Sequence, residues 1–177
     1  MTDALLIRTA SAEDIGRLQP LVHGAYRGDS ARRGWTHEAD LLDGQRIDVE
    51  GLAQVIADPA QLILLAERDG DLVGCVQVTD KGEGLAYLGM LSVDPVRQGG
   101  GLGRRLIAAA EDVARDRFAA RIMEMTVIVQ RTELIAWYER CGYRLTGENR
   151  PFPATDPRFG LPLRDDLAFV VLTRDLR

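Results

Sequence analysis

The chain has 177 residues, of which 46% are hydrophobic and 28% charged, and this composition excludes disordered and collagen-like proteins. Its formal net charge of -5 argues against a broad nucleic-acid footprint, which needs clustered positive charge. No apolar run approaches the roughly 18 residues of a membrane span, and the N-terminal residues lack the basic and apolar regions of a signal peptide. We therefore expect a cytoplasmic protein that has no membrane partner.

The first predicted elements are a strand and a helix. Residues 5–10, LLIRTA, have the composition of a short strand. Ser11 and Asp14 then form a capping-box pattern, in which the Asp takes the usual Glu position, and this predicts a helix over residues 12–26.

A long polar segment follows the first helix. Residues 27–52 are interrupted by glycines and are too long for a tight connection, so the segment is either functional or mobile. A short helix over residues 49–58 closes it and ends before Pro59, because a residue preceding proline disfavours helical backbone.

The middle of the chain predicts a β-hairpin, a third strand and a long helix. Residues 61–80 form the hairpin, with Asp69 and Gly70 at its turn, and residues 84–95 form the next strand. From there the apolar residues recur at helical spacing, which predicts a helix over residues 101–118.

The last third of the chain again alternates between predicted strands and helices. It predicts a strand over residues 121–130, a helix over 131–142 that stops at a glycine, and two strands over 143–150 and 165–176. A proline-rich loop, residues 151–162, connects the last two strands. One mixed α/β domain accounts for all of these elements.

Four glycines stand at the junction between a strand and a helix, in the stretch SVDPVRQGGGLGRRL: Gly99, Gly100, Gly101 and Gly103. A helix N-terminus favours a bound anion such as phosphate, and glycines allow its close approach. The triphosphate-binding loop does not fit, because no Lys-Ser/Thr pair follows Gly103. The dinucleotide fingerprint fits poorly, because Arg104 stands where its third glycine should be.

A third pattern matches this stretch. Residues 93–106 resemble the acyl-coenzyme A loop of the GNAT acetyltransferase superfamily, Arg/Gln-x-x-Gly-x-Gly/Ala, with Gln98, Gly101 and Gly103 at its fixed positions. A second segment about 35 residues downstream, IAWYERCGYRLTG, is similar to the late helix-to-strand motif of the family. The resemblance implies one α/β (α+β) N-acetyltransferase domain over residues 1–177. Its sheet would be mixed, mostly antiparallel and splayed near the glycine loop, with about six to seven strands and helices on both faces.

The resemblance also implies that acetyl-CoA is the acetyl donor. Loop 98–104 would surround its pyrophosphate through Gln98, Gly99, Gly100, Gly101, Gly103 and Arg104. The preceding strand would pair with the pantetheine arm through the backbone at Leu91 and Val93. An amide there would act as an oxyanion donor, aimed at the charge that develops on the thioester carbonyl.

Tyr138 matches the family tyrosine that gives a proton or a hydrogen bond to the leaving sulfur. Its spacing from Leu134, Trp137 and Cys141 is also that of a buried helix face, so core packing is the alternative. Seven residues earlier, where the family often has Asn, this chain has Arg131, which meets either an acidic group of the substrate or solvent.

The general base is left open. Tyr87 occupies the position where some members carry a glutamate, but a tyrosine with an ordinary pKa of about 10 is a poor base at neutral pH. Deprotonation of the amine then goes through water or through a carboxylate such as Glu38 or Glu83.

By the same resemblance, residues 27–58 cover the acceptor site. Trp35 would supply an apolar wall there, and nearby acids would attract a cation such as a polyamine, an amine drug or a peptide N-terminus. Those acids are Glu38, Asp40 and Asp43. The alternative is that Trp35 packs under the loop and the acids are solvated. The loop at 151–162 would form either the far wall of the pocket or an oligomer contact.

The predicted function is transfer of an acetyl group from acetyl-CoA to a primary amine of a small molecule or peptide, by direct attack in a ternary complex. The alternatives are a non-catalytic acyl-CoA sensor and a dinucleotide-dependent oxidoreductase. No metal site is expected, because the chain has two histidines and its cysteines, Cys75 and Cys141, lack metal-ligand spacing. The protein would be a monomer or a homodimer.

Overall fold

The structure, a computed structural model, describes residues 4–27, 31–44, 46–153 and 160–177. The strands in these ranges are β1 (Leu5–Thr9), β2 (Leu42–Asp43), β3 (Gln61–Arg68), β4 (Asp71–Gly82), β5 (Leu85–Val93), β6 (Ile122–Ile128), β7 (Arg144–Pro151), β8 (Leu161–Pro162) and β9 (Ala168–Asp175). The α-helices are α1 (Ile15–Tyr26), α2 (Val49–Ala57), α3 (Leu102–Phe118) and α4 (Thr132–Arg140).

Seven strands form one sheet in the order β1-β3-β4-β5-β6-β9-β7. Every neighbouring pair is antiparallel except β5 and β6, which are parallel. This architecture confirms the predicted mixed, mostly antiparallel sheet.

The local signals identified in the sequence are present. The Ser11 amide donates to the Asp14 carboxylate at 2.8 Å, which completes the capping box at the start of the first helical turn. At the β3–β4 hairpin, Asp69 and Gly70 have φ angles of 52° and 86°, as a two-residue hairpin turn with positive φ at both positions requires.

The sheet is buried on both faces, because alternate residues of β3 enter two different hydrophobic cores. Leu62 and Leu64 belong to the core beneath α3 and α4, whereas Ile63 and Leu65 belong to the core beneath α1 and α2. This explains why the strand is a continuous apolar run rather than an alternating one. It also confirms helices on both faces.

A β-bulge interrupts β5. Gly89 pairs with Gln77 and Ser92 pairs with Cys75, so β5 uses one more residue than β4 between these pairs. Met90 lies inside the bulge with a φ of 52°, an uncommon conformation for a non-glycine residue. Leu88 therefore points into one core and Met90 into the other, although they are two residues apart.

A second, two-stranded sheet was not predicted. β2 lies in the polar segment after α1 and β8 lies in the proline-rich segment, and they pair antiparallel through Leu42 with Pro162 and Asp43 with Leu161. The amide of Leu163 also donates to the carbonyl of Leu41 at 2.8 Å. Two segments far apart in sequence are thereby joined beside the open end of the main sheet.

Candidate active site

The parallel strands β5 and β6 separate after a short paired stretch. Their pairing ends at Tyr87 and Glu124, and the strands continue for several residues beyond that point. Two cavities border the separated segments, a larger one of about 680 Å³ and a smaller one of about 270 Å³. Both cavities are lined by Tyr26, Leu91, Arg131, Leu134 and Tyr138, so they meet at these residues.

The glycine loop borders the larger cavity. Gly99, Gly100 and Gly101 have φ angles of 101°, 62° and 76°, and a Cβ atom built on any of them would meet no protein atom within 4 Å. The loop thus needs glycine for its backbone conformation and leaves open space beside it. Gly103 is different, because a Cβ atom there would lie 3.1 Å from the ring of Trp137. This glycine lets the indole pack against the first turn of α3.

The larger cavity presents hydrogen-bond donors and positive charge. The first hydrogen bond at the start of α3 runs from the Arg105 amide to the Gly101 carbonyl, so the helical amides before Arg105 have no partner within the helix. The charged residues that line this cavity are Arg33, Arg104, Arg131 and Arg140, and no carboxylate of the described residues joins them. Unpaired amides at a helix N-terminus together with arginines suit a phosphorylated ligand.

The backbone of β5 also faces the larger cavity. The Asp94 amide donates to the Val73 carbonyl of β4, and backbone groups along a strand alternate in direction, so those of Leu91 and Val93 point away from β4. Both residues line the larger cavity. Their polar groups are thus placed as for an extended ligand that pairs with the strand.

Tyr138 lies on α4 where the two cavities meet. Its side chain is only 5% exposed, and its ring contacts Trp137 and Tyr143 edge-on, so it is part of the hydrophobic core as well as of the cavity wall. Burial raises the pKa of Tyr138 well above its ordinary value of about 10. The hydroxyl is therefore protonated at neutral pH and can donate its proton.

Tyr26, at the end of α1, was not identified from the sequence. Its hydroxyl donates to the Leu91 carbonyl at 2.6 Å, which fixes the backbone of β5 inside the gap. Two guanidinium groups lie over its ring, with Arg46 at 5.5 Å and Arg131 at 5.8 Å from the centroid. Burial raises the pKa of Tyr26 to about 12. No local motif marks this residue, since its spacing is that of an ordinary helix.

Glu38 is held between two arginines in the smaller cavity. Arg27 donates to Glu38 Oε2 through Nε at 3.1 Å and Nη2 at 2.8 Å, and Arg131 donates to Oε1 at 3.1 Å. All three side chains are buried. Burial alone would raise the pKa of Glu38, but Arg131 and Arg27 outweigh it and hold the pKa below its ordinary value.

The acidic acceptor pocket considered from the sequence is not what surrounds Glu38. Its carboxylate is already bound by two guanidinium groups, and Asp40 is exposed and pairs with Arg32. The side chain of Asp43 lies outside the described residues. The solvent position considered for Arg131 is also wrong, because this residue is 5% exposed.

Trp35 lies on the side of the larger cavity. Its side chain is 53% exposed and its ring centroid is 6.1 Å from that of Trp137, while its amide donates to the side chain of Gln98. Trp35 and Gln98 both line the larger cavity and not the smaller one. The segment after α1 therefore reaches across to the glycine loop.

Tyr87 lines the smaller cavity on β5. Its hydroxyl hydrogen-bonds to that of Thr126 on β6 at 2.5 Å. This cavity is also lined by Phe152 and Pro153, so the beginning of the proline-rich segment does contribute a wall. Residues 154–159 of that segment lie outside the described residues.

Neither proposed carboxylate base suits the role. Glu83 is exposed in the turn before β5, whereas Leu91 lies near the far end of that strand, about 25 Å away at 3.3 Å per residue. Glu38 is the one carboxylate of the described residues that lines either cavity, and its lowered pKa makes it a weak base.

The described ranges contain neither a cluster of metal-ligating side chains nor a helix that could span a membrane. No group of three or more potential metal-ligating side chains comes together there. Likewise, none of the helices there is both long and apolar enough to cross a membrane.

Comparison with known proteins identifies the family. Residues 25–143, about two thirds of the chain, match the model of the acetyltransferase (GNAT) family. The chain belongs to this family. The matched region contains the end of α1 with Tyr26, the separated strands, the glycine loop and Tyr138, and it confirms the family predicted from the loop and the late helix-to-strand motif.

The chain is also similar in sequence to two proteins named as acetyltransferases. The chain is 33% identical over 100 residues to the IAA acetyltransferase of Azospirillum brasilense, covering 56% of this chain and 65% of that protein. It is 35% identical over 119 residues to the mycothiol acetyltransferase of Cellulomonas flavigena, covering 60% of this chain and 34% of that protein. The chain thus spans less than two thirds of the length of these relatives.

A solved structure shares the GNAT fold over nearly the whole chain. The protein yncA of Salmonella typhimurium, solved with its cofactor acetyl-CoA, superposes with a TM-score of 0.70 at 21% identity. The alignment covers 98% of this chain and 95% of that one. A likeness at this identity establishes the fold.

Proposed function

We propose that this protein transfers the acetyl group of acetyl-CoA to a primary amine of a small molecule, by direct attack in a ternary complex. The observation that carries the proposal is that two cavities meet at Tyr138. The larger cavity is cationic and is bordered by the glycine loop, and the smaller one is bordered by the separated strands. The family and the names of its two relatives support acetyl transfer as the reaction.

The larger cavity fits the coenzyme. The amides at the start of α3 and the open space beside Gly99, Gly100 and Gly101 would hold the pyrophosphate, and Arg104 would add charge. The backbone of Leu91 and Val93 would pair with the extended arm of the coenzyme. The amide of Leu91 would then be an oxyanion donor, with Tyr26 fixing the same residue through its carbonyl.

In the reaction, the amine nitrogen forms a bond to the thioester carbonyl carbon, the carbon–sulfur bond breaks, and the sulfur leaves with the bonding pair. Tyr138 would donate its phenolic proton to that sulfur, and the amine would lose one proton to solvent. Because its pKa is raised, Tyr138 would recover a proton before the next turnover.

The smaller cavity reduces the need for a general base. Of the residues that the structure describes, three arginines and a single carboxylate line it, and nearby positive charge lowers the pKa of an ammonium ion. A bound amine would therefore lose its proton more readily than in water. Water would accept this proton, and neither Glu38 nor Tyr87 is required for the step.

Calorimetry and a thiol-release assay test the proposal. We expect acetyl-CoA and CoA to bind, and we expect free thiol to appear when a primary amine is added to the acetyl-CoA complex. Binding of acetyl-CoA without thiol release would identify the sensor alternative instead. Binding of NADH without binding of acetyl-CoA would contradict the assignment of the glycine loop.

A further inference from the structure

We propose that the acceptor is a small amine that also carries a carboxylate or similar oxyanion and an apolar side chain, as an apolar amino acid does. The inference rests on the proposed acetyl transfer and names its substrate class. It is drawn from the charge, hydrogen bonding and size of the smaller cavity.

The smaller cavity is cationic. Its charged lining residues are Arg27, Glu38, Arg46 and Arg131. Glu38 accepts hydrogen bonds from Arg27 and Arg131, so it is not available to a cationic substrate unless these buried pairs are broken. The second ammonium of a polyamine would face guanidinium groups and be repelled. An oxyanion on the substrate would instead compensate the excess positive charge.

Arg131, which lines this cavity, is incompletely hydrogen-bonded. Its Nη1 donates to Glu38 Oε1 at 3.1 Å and its Nη2 to Thr36 Oγ1 at 3.2 Å, while its Nε meets no acceptor within the described residues. The residue is 5% exposed and lines both cavities. A buried guanidinium with incomplete hydrogen bonding is stabilised by a neighbouring anion, because an unsatisfied buried donor destabilises the protein.

Arg46 is the best placed anchor for an oxyanion. It lies against the Tyr26 ring and lines only the smaller cavity, and it forms no ion pair with any carboxylate in the described part of the chain. A guanidinium binds a carboxylate through two parallel hydrogen bonds, which fixes its orientation as well as its position. Bound in this way, the substrate would have its carboxylate at Arg46 and its amine directed to the junction at Tyr138.

The rest of the cavity suits a small apolar group. Aromatic residues form much of its wall, including Tyr87 and the pair Phe152 and Phe169, whose ring centroids are 5.4 Å apart. Its volume of about 270 Å³ is near the lower end of the range for small-molecule sites, about 300–1,000 Å³. One amino acid fits this space better than a folded peptide segment.

Matched acid and amide substrates test the inference directly. The probes are L-phenylalanine with L-phenylalaninamide, L-leucine with L-leucinamide, and spermidine, each with acetyl-CoA in the thiol-release assay. We expect the acids to have at least a tenfold higher kcat/KM than their amides. The comparison is stringent, because the carboxylate raises the pKa of the neighbouring amine and so leaves less of it in the reactive neutral form.

The variant Arg46→Gln separates recognition from chemistry. We expect this variant to raise KM for the acids at least tenfold with little change in kcat. For the amides, kcat/KM should change less than threefold. Arg46→Lys keeps a positive charge and should recover part of the affinity for the acids. Arg115→Gln is the matched control, since Arg115 is exposed on α3 and pairs with Asp112 away from both cavities. It should behave as the unchanged protein.

Different outcomes bear on the two proposals separately. The substrate class would be overturned if the amides or spermidine reacted as fast as the acids. It would also be overturned if Arg46→Gln impaired acids and amides equally. Neither result would contradict acetyl transfer. Calorimetry needs no acceptor, so failure of acetyl-CoA to bind would overturn acetyl transfer itself. Binding of acetyl-CoA without thiol release from any of these probes would overturn the substrate class, and absence of thiol release from other primary amines as well would overturn acetyl transfer.

Discussion

Tyr138 lies both in the hydrophobic core and in the wall of the cavities, and its neighbours in the sequence do not distinguish these two positions. Its ring packs in the core between Trp137 and Tyr143, and its side chain also lines both cavities. Helical spacing correctly indicates a buried side, and the family motif indicates a proton donor. The structure is compatible with both interpretations, because the residue stands at the boundary between core and cavity.

The first prediction follows from this position. Tyr138→Phe keeps the ring and removes the hydroxyl, so acetyl-CoA affinity should change less than threefold while kcat falls at least tenfold, as expected for loss of a general acid. Thiol release under saturating acetyl-CoA and amine measures kcat, and calorimetry measures affinity.

Tyr143→Phe is the matched control. The Tyr143 hydroxyl donates to Glu111 at 2.9 Å in the same core, and this residue lines neither cavity. The control should lose stability and keep its kcat. Equal kcat values for Tyr138→Phe and the unchanged protein would remove Tyr138 from the chemistry.

Among the secondary-structure elements, the glycine loop can be compared with the β3–β4 turn. Gly101 has a φ of 76° and Gly70 a φ of 86°, and a Cβ atom at either position would meet nothing within 4 Å. The two glycines therefore have similar backbone requirements. They differ in place, since Gly101 lines the larger cavity and Gly70 does not.

The second prediction uses this difference. Gly101→Ala and Gly70→Ala should each cost about 1–2 kcal/mol of unfolding free energy, because both place an L-residue in the left-handed region. Only Gly101→Ala should also weaken acetyl-CoA binding, by at least tenfold, because its methyl group enters the space that the coenzyme would use. Urea denaturation and calorimetry measure the two effects, and equal coenzyme affinities in the two variants would contradict the loop assignment.

In the whole molecule, a buried ion cluster joins three parts of the chain. Arg27 follows α1, Glu38 lies in the segment after it, and Arg131 immediately precedes α4. The cluster holds that segment beside the open end of the sheet, where Thr36 also contacts Glu133 at 2.7 Å.

The third prediction concerns this cluster. Glu38→Gln leaves two buried guanidinium groups without their carboxylate, which should cost roughly 3–5 kcal/mol of unfolding free energy. Urea denaturation at neutral pH measures the loss. Glu83→Gln is the control, since Glu83 is exposed, and it should change neither stability nor turnover.

The fourth prediction is the pH dependence of that loss. The pKa of Glu38 is lowered in the folded state, so its contribution is fully present above the unfolded pKa of about 4.3 and is lost as the pH falls through the folded value. The stability difference between the unchanged protein and Glu38→Gln should therefore be constant from pH 5 to 7 and shrink below pH 4. A difference independent of pH down to pH 3 would contradict a charged Glu38.

The sequence alone determined most of the elements and the glycine loop. Turn chemistry, capping and hydrophobic periodicity act between near neighbours, so the β3–β4 hairpin, α3 and the glycine loop are encoded locally. The family pattern is also local, since it rests on Gln98, Gly101, Gly103 and a segment about 35 residues later. The pairing of β2 with β8 and the bulge at Met90 were not predicted, because each depends on which distant strand lies next to the segment in the folded protein.

Only the tertiary structure decided the charge of the smaller cavity, the proposed acceptor site. Glu38 looked like an acid available to a cation, and Arg131 like a residue in solvent, as long as each was considered with its sequence neighbours. Folding places them 3.1 Å apart with Arg27 beside them, and brings Tyr26 and Arg46 to the same cavity. The net charge of a cavity depends on all the charged groups that line it. These groups come from separate elements, so the charge cannot be determined from any single stretch of sequence.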